Sequence, residues 1–245
     1  MPKFADHPTI NRVKLLLCGD PGSGKTGSLA TLANAGYHVH IVDLDNNLAI
    51  IKNYLKPDAP GSVDYVSIAA KEPTSWNKAV GYLDKWDDGT DPKTWDAKHV
   101  LVIDSATFLN EVLFNSLAAK KNIVVEDAQA AQLRDIYNQQ FKYFETLVAK
   151  LCGDKYKCHI VMTAHLRWLG GEDKPLKCYP AFMGQQLPDK VSRYMNNVWL
   201  AERRGGTPVF QTQATPVMTL KCSAPAVVQP KEDFDLGAIF KKMGA

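Results

Sequence analysis

The sequence predicts an α/β fold in which helices cover both faces of a mainly parallel sheet. Short apolar runs that end in polar residues alternate with segments of helical spacing, as in parallel strands joined by crossover helices. A G-x-x-x-x-G-K-[ST] motif lies at the first strand-to-helix turn. Near the carboxyl terminus, Gly205-Gly206 separates two further β-like runs. This pair predicts an antiparallel hairpin that extends the sheet.

The first half of the chain has three well-marked elements and one irregular region. The predicted order is a polar, loosely attached arm over 1–12, a strand over 13–18, a helix from the motif to about residue 35, and a strand over 38–45. Region 53–98 is less regular, because prolines and glycines interrupt it. Within it, apolar residues between Trp76 and Trp86 recur at helical spacing, which predicts a helix that faces the core.

The second half continues the alternation and then changes character. The predicted elements are a strand over 99–104, helices over 106–119 and 128–151, a strand over 157–164, a loop without clear periodicity over 167–183, a helix over 187–195, and β-like runs over 197–203, 207–213 and 216–222. A proline-rich tail ends in a short helix over 236–242. We expect a single domain over 1–245, with a core over about 10–222 and a tail over 223–245.

Composition limits the class of protein. The 245 residues are 45% hydrophobic and 22% charged, which suits a globular domain with a sizeable core. A net charge of +3 does not by itself indicate a nucleic-acid partner. Five scattered cysteines form no C-x-x-C pair, which favours reduced thiols over a zinc site. The start of the chain lacks the apolar core of a signal peptide, and no run has the length of a membrane span. We therefore expect a cytoplasmic protein without a membrane partner.

The glycine-rich motif has the spacing of a phosphate-binding P-loop. Glycines let the backbone turn sharply and bring its N–H groups close to phosphate, while the following helix directs its positive end at the same anion. Lys25 would supply a positive charge to the β- and γ-phosphates, and Thr26 a hydroxyl ligand for Mg²⁺. The residues expected to contact the nucleotide are Gly19, Asp20, Pro21, Gly22, Ser23, Gly24, Lys25, Thr26 and Gly27.

Two predicted strands end in carboxylates, and we expect both strand ends at the same edge of the sheet. The apolar run 99–103 ends in Asp104, which is the Walker B pattern and predicts a second Mg²⁺ ligand opposite Thr26. A helix-capping role for Asp104 or Ser105 is the alternative. The run 38–45 ends in Asp43 and Asp45, and we expect one of the two to face the nucleotide at the ligand edge of the sheet.

With these residues in place, the order of motifs resembles the RecA-like branch of P-loop ATPases. In particular it resembles small phage ATPases that consist of little more than this core, including the Sak group of phage single-strand-annealing proteins. The resemblance covers roughly residues 10–222. It implies a RecA-like core, ATP and Mg²⁺ as ligands, and a homo-oligomeric ring or filament with sites at subunit interfaces. A phage-encoded protein of this type would act in the host cytoplasm.

The resemblance also suggests roles for residues outside the P-loop. In this branch the second strand ends in Asp-x-Glu, and the Glu activates the attacking water. Asp45 stands at that position here, shorter by one methylene, so a general-base role and a capping role both stay open. The strand after Walker B ends in a polar residue that senses the γ-phosphate, and His165 fits this position. A purely structural histidine is the alternative.

The same resemblance implies where DNA and neighbouring subunits would act. The loop after the sensor contacts single-stranded DNA, which corresponds to 167–183 and its basic and aromatic residues. The alternative is a solvated loop without a ligand. Arg203 and Lys221 lie where relatives supply basic residues to the neighbouring subunit's site, although surface solvation explains them as well.

Two functions follow from the resemblance. The first is an ATPase of DNA metabolism that binds single-stranded DNA and promotes annealing or recombination, with a single-strand-binding protein as a further partner. The second is a nucleotide-gated DNA-binding or loading module with little hydrolysis of its own, which the shorter Asp45 would explain. No Asn/Thr-Lys-x-Asp motif of a GTPase is present. The 167–183 loop is also a poor match to the arginine-rich lid of a small-molecule kinase.

Overall fold

The computed structural model describes residues 11–70, 72–171, 174–183 and 187–245, so the arm predicted over 1–10 lies outside the described residues. Eight strands form one sheet in the order β10-β9-β8-β1-β5-β4-β2-β3, and β6 pairs with β7 in a separate hairpin. The strands are β1 (Lys14–Gly19), β2 (His38–Asp43), β3 (Ser62–Ser67), β4 (His99–Asp104), β5 (His159–Ala164), β6 (Leu166–Gly171), β7 (Lys174–Pro180), β8 (Asn197–Arg204), β9 (Thr207–Gln211) and β10 (Lys231–Asp233).

The sheet is parallel over most of its width. Strand β1 lies between β5 and β8 and runs parallel to both, and the pairs β4–β5, β2–β4 and β2–β3 are parallel as well. Strands β8, β9 and β10 pair antiparallel at the other edge. The predicted fold class is confirmed, including the hairpin at Gly205-Gly206. Parallel strands bring their carboxyl ends to one edge, which is where α/β sheets bind ligands.

Helices cover both faces of the sheet. They are α1 (Lys25–Asn34), α2 (Ser75–Asp84), α3 (Ala106–Lys120), α4 (Ala130–Cys152), α5 (Leu187–Tyr194) and α6 (Leu236–Lys242). Successive residues of β1 point to opposite faces of the sheet. Leu16 packs in the core beneath α2 to α5, and Leu15 and Leu17 pack in the core beneath α1 and α6. None of the helices in the described part of the chain combines the length and apolar character that crossing a membrane requires.

Four elements differ from the sequence-based expectation. The irregular region 53–98 contains β3, an edge strand whose Asp64 and Tyr65 are exposed, so it has no apolar run to reveal it. The segment 167–183, expected to be a loop, is mostly the β6–β7 hairpin. The run 216–222 forms no strand and makes only one bridge, between Lys221 and Val198. In the tail, β10 joins the sheet and α6 packs against α1.

The end of the predicted arm is held firmly by the core. The buried side chain of Arg12 donates hydrogen bonds to the carbonyl oxygens of Gly153 (2.7 Å), Cys158 (2.8 Å) and Leu151. Two of these acceptors lie at the end of α4, where carbonyl groups lack partners within the helix. Residue 12 therefore belongs to the folded domain, because its guanidinium closes the end of α4.

A buried histidine should make folding sensitive to acid. The Nδ1 atom of His159 accepts a hydrogen bond from the N–H of Val13 (3.1 Å), and Nε2 lies 2.7 Å from the carbonyl oxygen of Ala97. This arrangement requires the neutral ring, and burial lowers the pKa of His159 to about 4. The unfolded chain binds this proton near the ordinary pKa of about 6.5. The contribution is therefore complete above that pH and is lost as the pH falls toward 4.

We expect the free energy of unfolding to fall by up to about 1.4 kcal/mol per pH unit from this residue between those limits. Urea unfolding of the wild type and of His159→Gln across pH 4 to 7 would measure the difference in slope. The comparison isolates His159 from every other group, because the variant removes only this titration. Identical slopes for the two proteins would contradict the prediction.

Candidate nucleotide-binding site

The glycine-rich motif forms the turn between β1 and α1. Strand β1 ends at Gly19, α1 begins at Lys25, and no side chain caps the amino end of this helix. The φ angle of Gly24 is 104°, and the ring of Phe234 occupies the space that a Cβ would need, so only glycine fits here. The first N–H groups of an α-helix have no acceptor within the helix, and those of α1 directly follow the glycine-rich loop. This is the geometry of a phosphate-binding turn.

Lys25 and Ser23 make the loop suitable for an anion. The buried ammonium group of Lys25 donates to the carbonyl oxygens of Gly19 (2.7 Å) and Asp20 (3.0 Å). Burial lowers its pKa, while the carboxylates of Asp104 and Asp45 oppose that effect. The buried Ser23 hydroxyl has no hydrogen-bond partner among the described residues. A phosphate oxygen would supply an acceptor for both groups, so the residues present fit a nucleotide's phosphates.

Asp104 lies beneath the loop at the end of β4. Its carboxylate accepts hydrogen bonds from the hydroxyls of Thr26 (2.8 Å) and Thr163, the latter on β5. Burial raises the pKa of Asp104 to about 6; the Asp45 and Asp43 carboxylates add to the rise, and the two threonines oppose it. Thr163 was not singled out from the sequence, because a threonine inside an apolar run carries no motif.

Thr26 and Asp104 form a donor set that suits Mg²⁺. Both supply hard oxygen atoms, and Mg²⁺ keeps several waters and phosphate oxygens while taking only one or two carboxylates from a protein. Within the described ranges, no group of three or more His, Cys, Asp or Glu side chains is arranged to hold a metal ion. The arrangement fits an ion shared with a nucleotide and not a site enclosed by protein.

Asp45 faces the loop and is held by two neighbours. Its carboxylate accepts hydrogen bonds from the Ser105 N–H (2.9 Å) and hydroxyl (2.7 Å), and lies 3.1 Å from Nε2 of His165. Burial raises the pKa of Asp45, but the hydrogen bonds from His165 and Ser105 outweigh burial and leave it below the ordinary value. A carboxylate has about four acceptor positions, so one is left for a further donor such as water.

Asp43 faces away from the loop. Its carboxylate accepts from the N–H of Asn46 (2.8 Å) and the hydroxyl of Ser67 (3.2 Å), which ties the end of β2 to β3. Of the two candidate carboxylates, Asp45 is therefore the one beside the P-loop.

His165 is oriented by its own N–H, which donates to the Thr107 hydroxyl (3.0 Å), and its ring meets the edge of Phe108.

The P-loop, Asp45 and His165 share one cavity of about 250 Å³. Its further lining residues include Asn47, Ile50, Tyr54 and Arg203. Arg203 donates to the carbonyl oxygens of Gly22 (2.7 Å) and Gly206 (3.0 Å). The resemblance implies that Arg203 serves a neighbouring subunit, whereas the structure places it at this chain's own P-loop.

Tyr54 forms an aromatic wall of this cavity, and the sequence offered no signal for it. A Cβ on Gly27 would lie 2.8 Å from the Tyr54 ring, so glycine permits the ring to close over α1. Phe234 packs behind Tyr54 with ring centroids 5.0 Å apart. The pair joins positions 180 residues apart in the chain, which no local pattern can predict.

Lys221 lies elsewhere. Its ammonium group donates to the carbonyl oxygen of Met195 (2.7 Å), at the amino end of β8 and away from the P-loop cavity.

The β6–β7 hairpin, by contrast, lies beside the P-loop. Its exposed Trp168 lines a shallow cavity of about 350 Å³ together with Asp20, Ser23 and Arg203. The side chains of 171–175 lie outside the described residues.

Comparison with individual known proteins gives only a distant structural likeness. A search of curated proteins found no match to this sequence. Among solved structures, the chain is similar to an ATP synthase subunit, NeqB, from Nanoarcheaum equitans, with 12% identity and a TM-score of 0.40. That alignment covers 78% of this chain and 47% of the subunit, so this chain spans about half of the subunit's length. A likeness this distant carries no argument about activity.

A family model is more informative, because it matches most of the chain. The model for the AAA domain matches residues 11–215, a span that runs from before β1 to beyond β9. It includes the P-loop, Asp45, Asp104 and His165. We conclude that the chain belongs to the AAA domain family of P-loop ATPases.

Proposed function

We propose that this protein hydrolyses ATP with Mg²⁺ and couples the reaction to single-stranded DNA held at the β6–β7 hairpin, in annealing or recombination. One observation carries the catalytic part: Lys25, Thr26, Asp45 and His165 line one cavity, and Asp104 lies directly behind Thr26 as its hydrogen-bond partner. A site that only bound nucleotide would not need a carboxylate with a free acceptor position beside the phosphate loop. The DNA part is supported by the exposed Trp168 next to that loop and by the family resemblance.

Each side chain would have a distinct task. Lys25 and the N–H groups at the start of α1 would hold the phosphates and take up negative charge as the terminal phosphoryl group is displaced. Thr26 and Asp104 would hold Mg²⁺, which when bound neutralises phosphate charge. Asp45 would orient a water molecule through its remaining acceptor position and accept its proton as the oxygen–phosphorus bond forms. ADP and phosphate are the products.

His165 and Arg203 are suited to respond to the terminal phosphate. The Nε2 atom of His165 lies 3.1 Å from the carboxylate of Asp45. A change in the hydrogen bonding of His165 would therefore alter the hydrogen bonds of the candidate base. The His165 backbone begins the segment that leads directly into β6. This short connection would couple the state of the nucleotide to the hairpin that we propose to hold DNA. Arg203 would contribute positive charge from within the same chain.

Turnover measurements test this function directly. We would measure ATP hydrolysis by the wild type and by Lys25→Ala, each with and without an oligothymidylate strand. The proposal expects stimulation of the wild type by the strand and a loss of at least about 100-fold in the variant. Equal rates in all four measurements would overturn it.

A nucleotide-gated binding or loading module is the second candidate. It is favoured by Asp45, which stands where the resembling ATPases carry a longer Glu and which is already engaged with Ser105 and His165. In that case ATP would change the affinity for DNA or the oligomeric state, while turnover would stay low with or without DNA. The same four measurements, combined with DNA binding in the presence of ATP, distinguish the two candidates.

The base of the nucleotide should rest against Tyr54. The ring closes over Gly27 at the start of α1 and is supported by Phe234. Stacking of this kind contributes about 1–3 kcal/mol, so we expect Tyr54→Ala to weaken ATP binding by about tenfold. Calorimetric titration would measure the change. Tyr54→Phe should keep the affinity, and Tyr65→Ala, which removes an exposed ring on edge strand β3, should leave it unchanged. Wild-type affinity in Tyr54→Ala would contradict the assignment.

A further inference from the structure

A second cavity, of about 420 Å³, lies away from the P-loop between β7, α5 and the segment 216–221. Its floor is apolar and includes the buried side chains of Val198, Met218 and Leu220. Tyr179, half-buried on β7, forms one wall. This volume lies within the range of about 300–1,000 Å³ that is typical of small-ligand sites.

The rim of this cavity is basic. Lys177, Arg193 and Lys221 are all exposed, and Asp189 is the only carboxylate among the described lining residues. Lys177 donates to the carbonyl oxygen of Pro216 (2.7 Å), and Lys221 donates to that of Met195 (2.7 Å). In the part of the chain that the structure describes, none of the three cations forms an ion pair with a carboxylate. Backbone acceptors therefore hold the ammonium groups of Lys177 and Lys221 in place, and the charges of all three side chains are left available to an anion.

We propose that this cavity is the part of the DNA site that receives a base of the single strand, with its phosphates along Lys177, Arg193 and Lys221. The proposal rests on the proposed function and extends the DNA site from Trp168 to this second cavity. Tyr179 would stack on the base above the apolar floor, and the rim cations would follow the backbone. Lys221 would then contact DNA and not a neighbouring active site.

The shape of the site favours a single strand over a duplex. The apolar floor lies within a cavity, so a base must leave a stack to reach it, and a base in a duplex is already paired and stacked. The site adjoins the cavity that the exposed Trp168 lines, because Val217 lines both cavities. A strand that contacts Trp168 could therefore reach the cavity along the same hairpin.

Binding of a fluorescent oligothymidylate, followed by anisotropy at several salt concentrations, tests the proposal. Three phosphate contacts predict that Lys177→Ala/Arg193→Ala/Lys221→Ala binds at least about tenfold more weakly, with a slope of log affinity against log salt reduced by about 2. Tyr179→Ala should lose about 5- to 100-fold in affinity with its salt slope unchanged. The matched control is Lys190→Ala, a cation on the same helix that faces Glu145 (3.2 Å) and not the cavity.

The outcomes separate this proposal from the proposed function. A wild type that fails to bind the strand would overturn the DNA part of the proposed function and this inference with it. Wild-type binding that is unchanged in both the triple variant and Tyr179→Ala would overturn this inference alone. Loss of affinity in the control equal to that in the triple variant would also overturn it. If Lys221→Ala lowers only turnover at saturating DNA, Lys221 is a catalytic cation, and its assignment to the DNA-binding cavity fails.

Discussion

Asp104→Asn is expected to abolish ATP hydrolysis and at the same time to stabilise the nucleotide-free protein. The carboxylate is almost fully buried, and burial together with Asp45 and Asp43 raises its pKa to about 6. At neutral pH the folded protein therefore holds a charge that is unfavourable by roughly 2–3 kcal/mol relative to the unfolded chain. Asparagine removes the charge and can still form hydrogen bonds with Thr26 and Thr163.

The loss of activity has a separate cause. Asparagine lacks the negative charge with which the Asp104 carboxylate would attract Mg²⁺ to the triphosphate, so turnover should fall by about 100-fold or more. Thermal unfolding without nucleotide should show a melting temperature higher by several degrees, since 1 kcal/mol corresponds to about 2–4 °C at this size. Asp58→Asn, an exposed carboxylate, serves as the control and should change neither quantity. A melting temperature that falls in Asp104→Asn would show that the carboxylate stabilises the fold.

Asp45→Asn should lower kcat by about 10²- to 10⁴-fold and change KM little, because removing a general base affects the reaction and not ground-state binding. The asparagine oxygen can keep the hydrogen bonds from Ser105, so the side chain should stay in place. Steady-state kinetics with ATP would give both constants. Asp45→Glu preserves the carboxylate and should retain activity within about tenfold.

A second variant separates the base from its neighbour. His165→Gln keeps a hydrogen-bonding group near Asp45 but removes the imidazole, and we expect a smaller loss of kcat, about 10- to 100-fold. If Asp45→Asn turns over ATP at the wild-type rate, Asp45 is not the base. The site would then fit the gating module better, and the capping interaction with Ser105 would account for the residue.

The P-loop, Walker B and the alternation of strands and helices could be predicted from the sequence because each is local. Gly19 to Thr26 is a continuous run whose spacing imposes its own backbone geometry, and Asp104 directly follows a buried strand. The same reasoning missed β3, because an edge strand with exposed Asp64 and Tyr65 lacks the apolar run of a central strand. It also took 167–183 for a loop, although the two halves of this segment pair with each other.

The sequence by itself therefore determined the α/β class, the phosphate-binding turn and the identity of the Thr26–Asp104 pair, since short-range patterns encode them. Only the tertiary structure decided which of Asp43 and Asp45 faces the site. It also decided that Tyr54 and Arg203 join the P-loop and that Lys221 does not. The physical reason is that these choices depend on which strands become neighbours and which way each side chain turns at a strand end. Contacts across the fold set both, and residues adjacent in sequence do not.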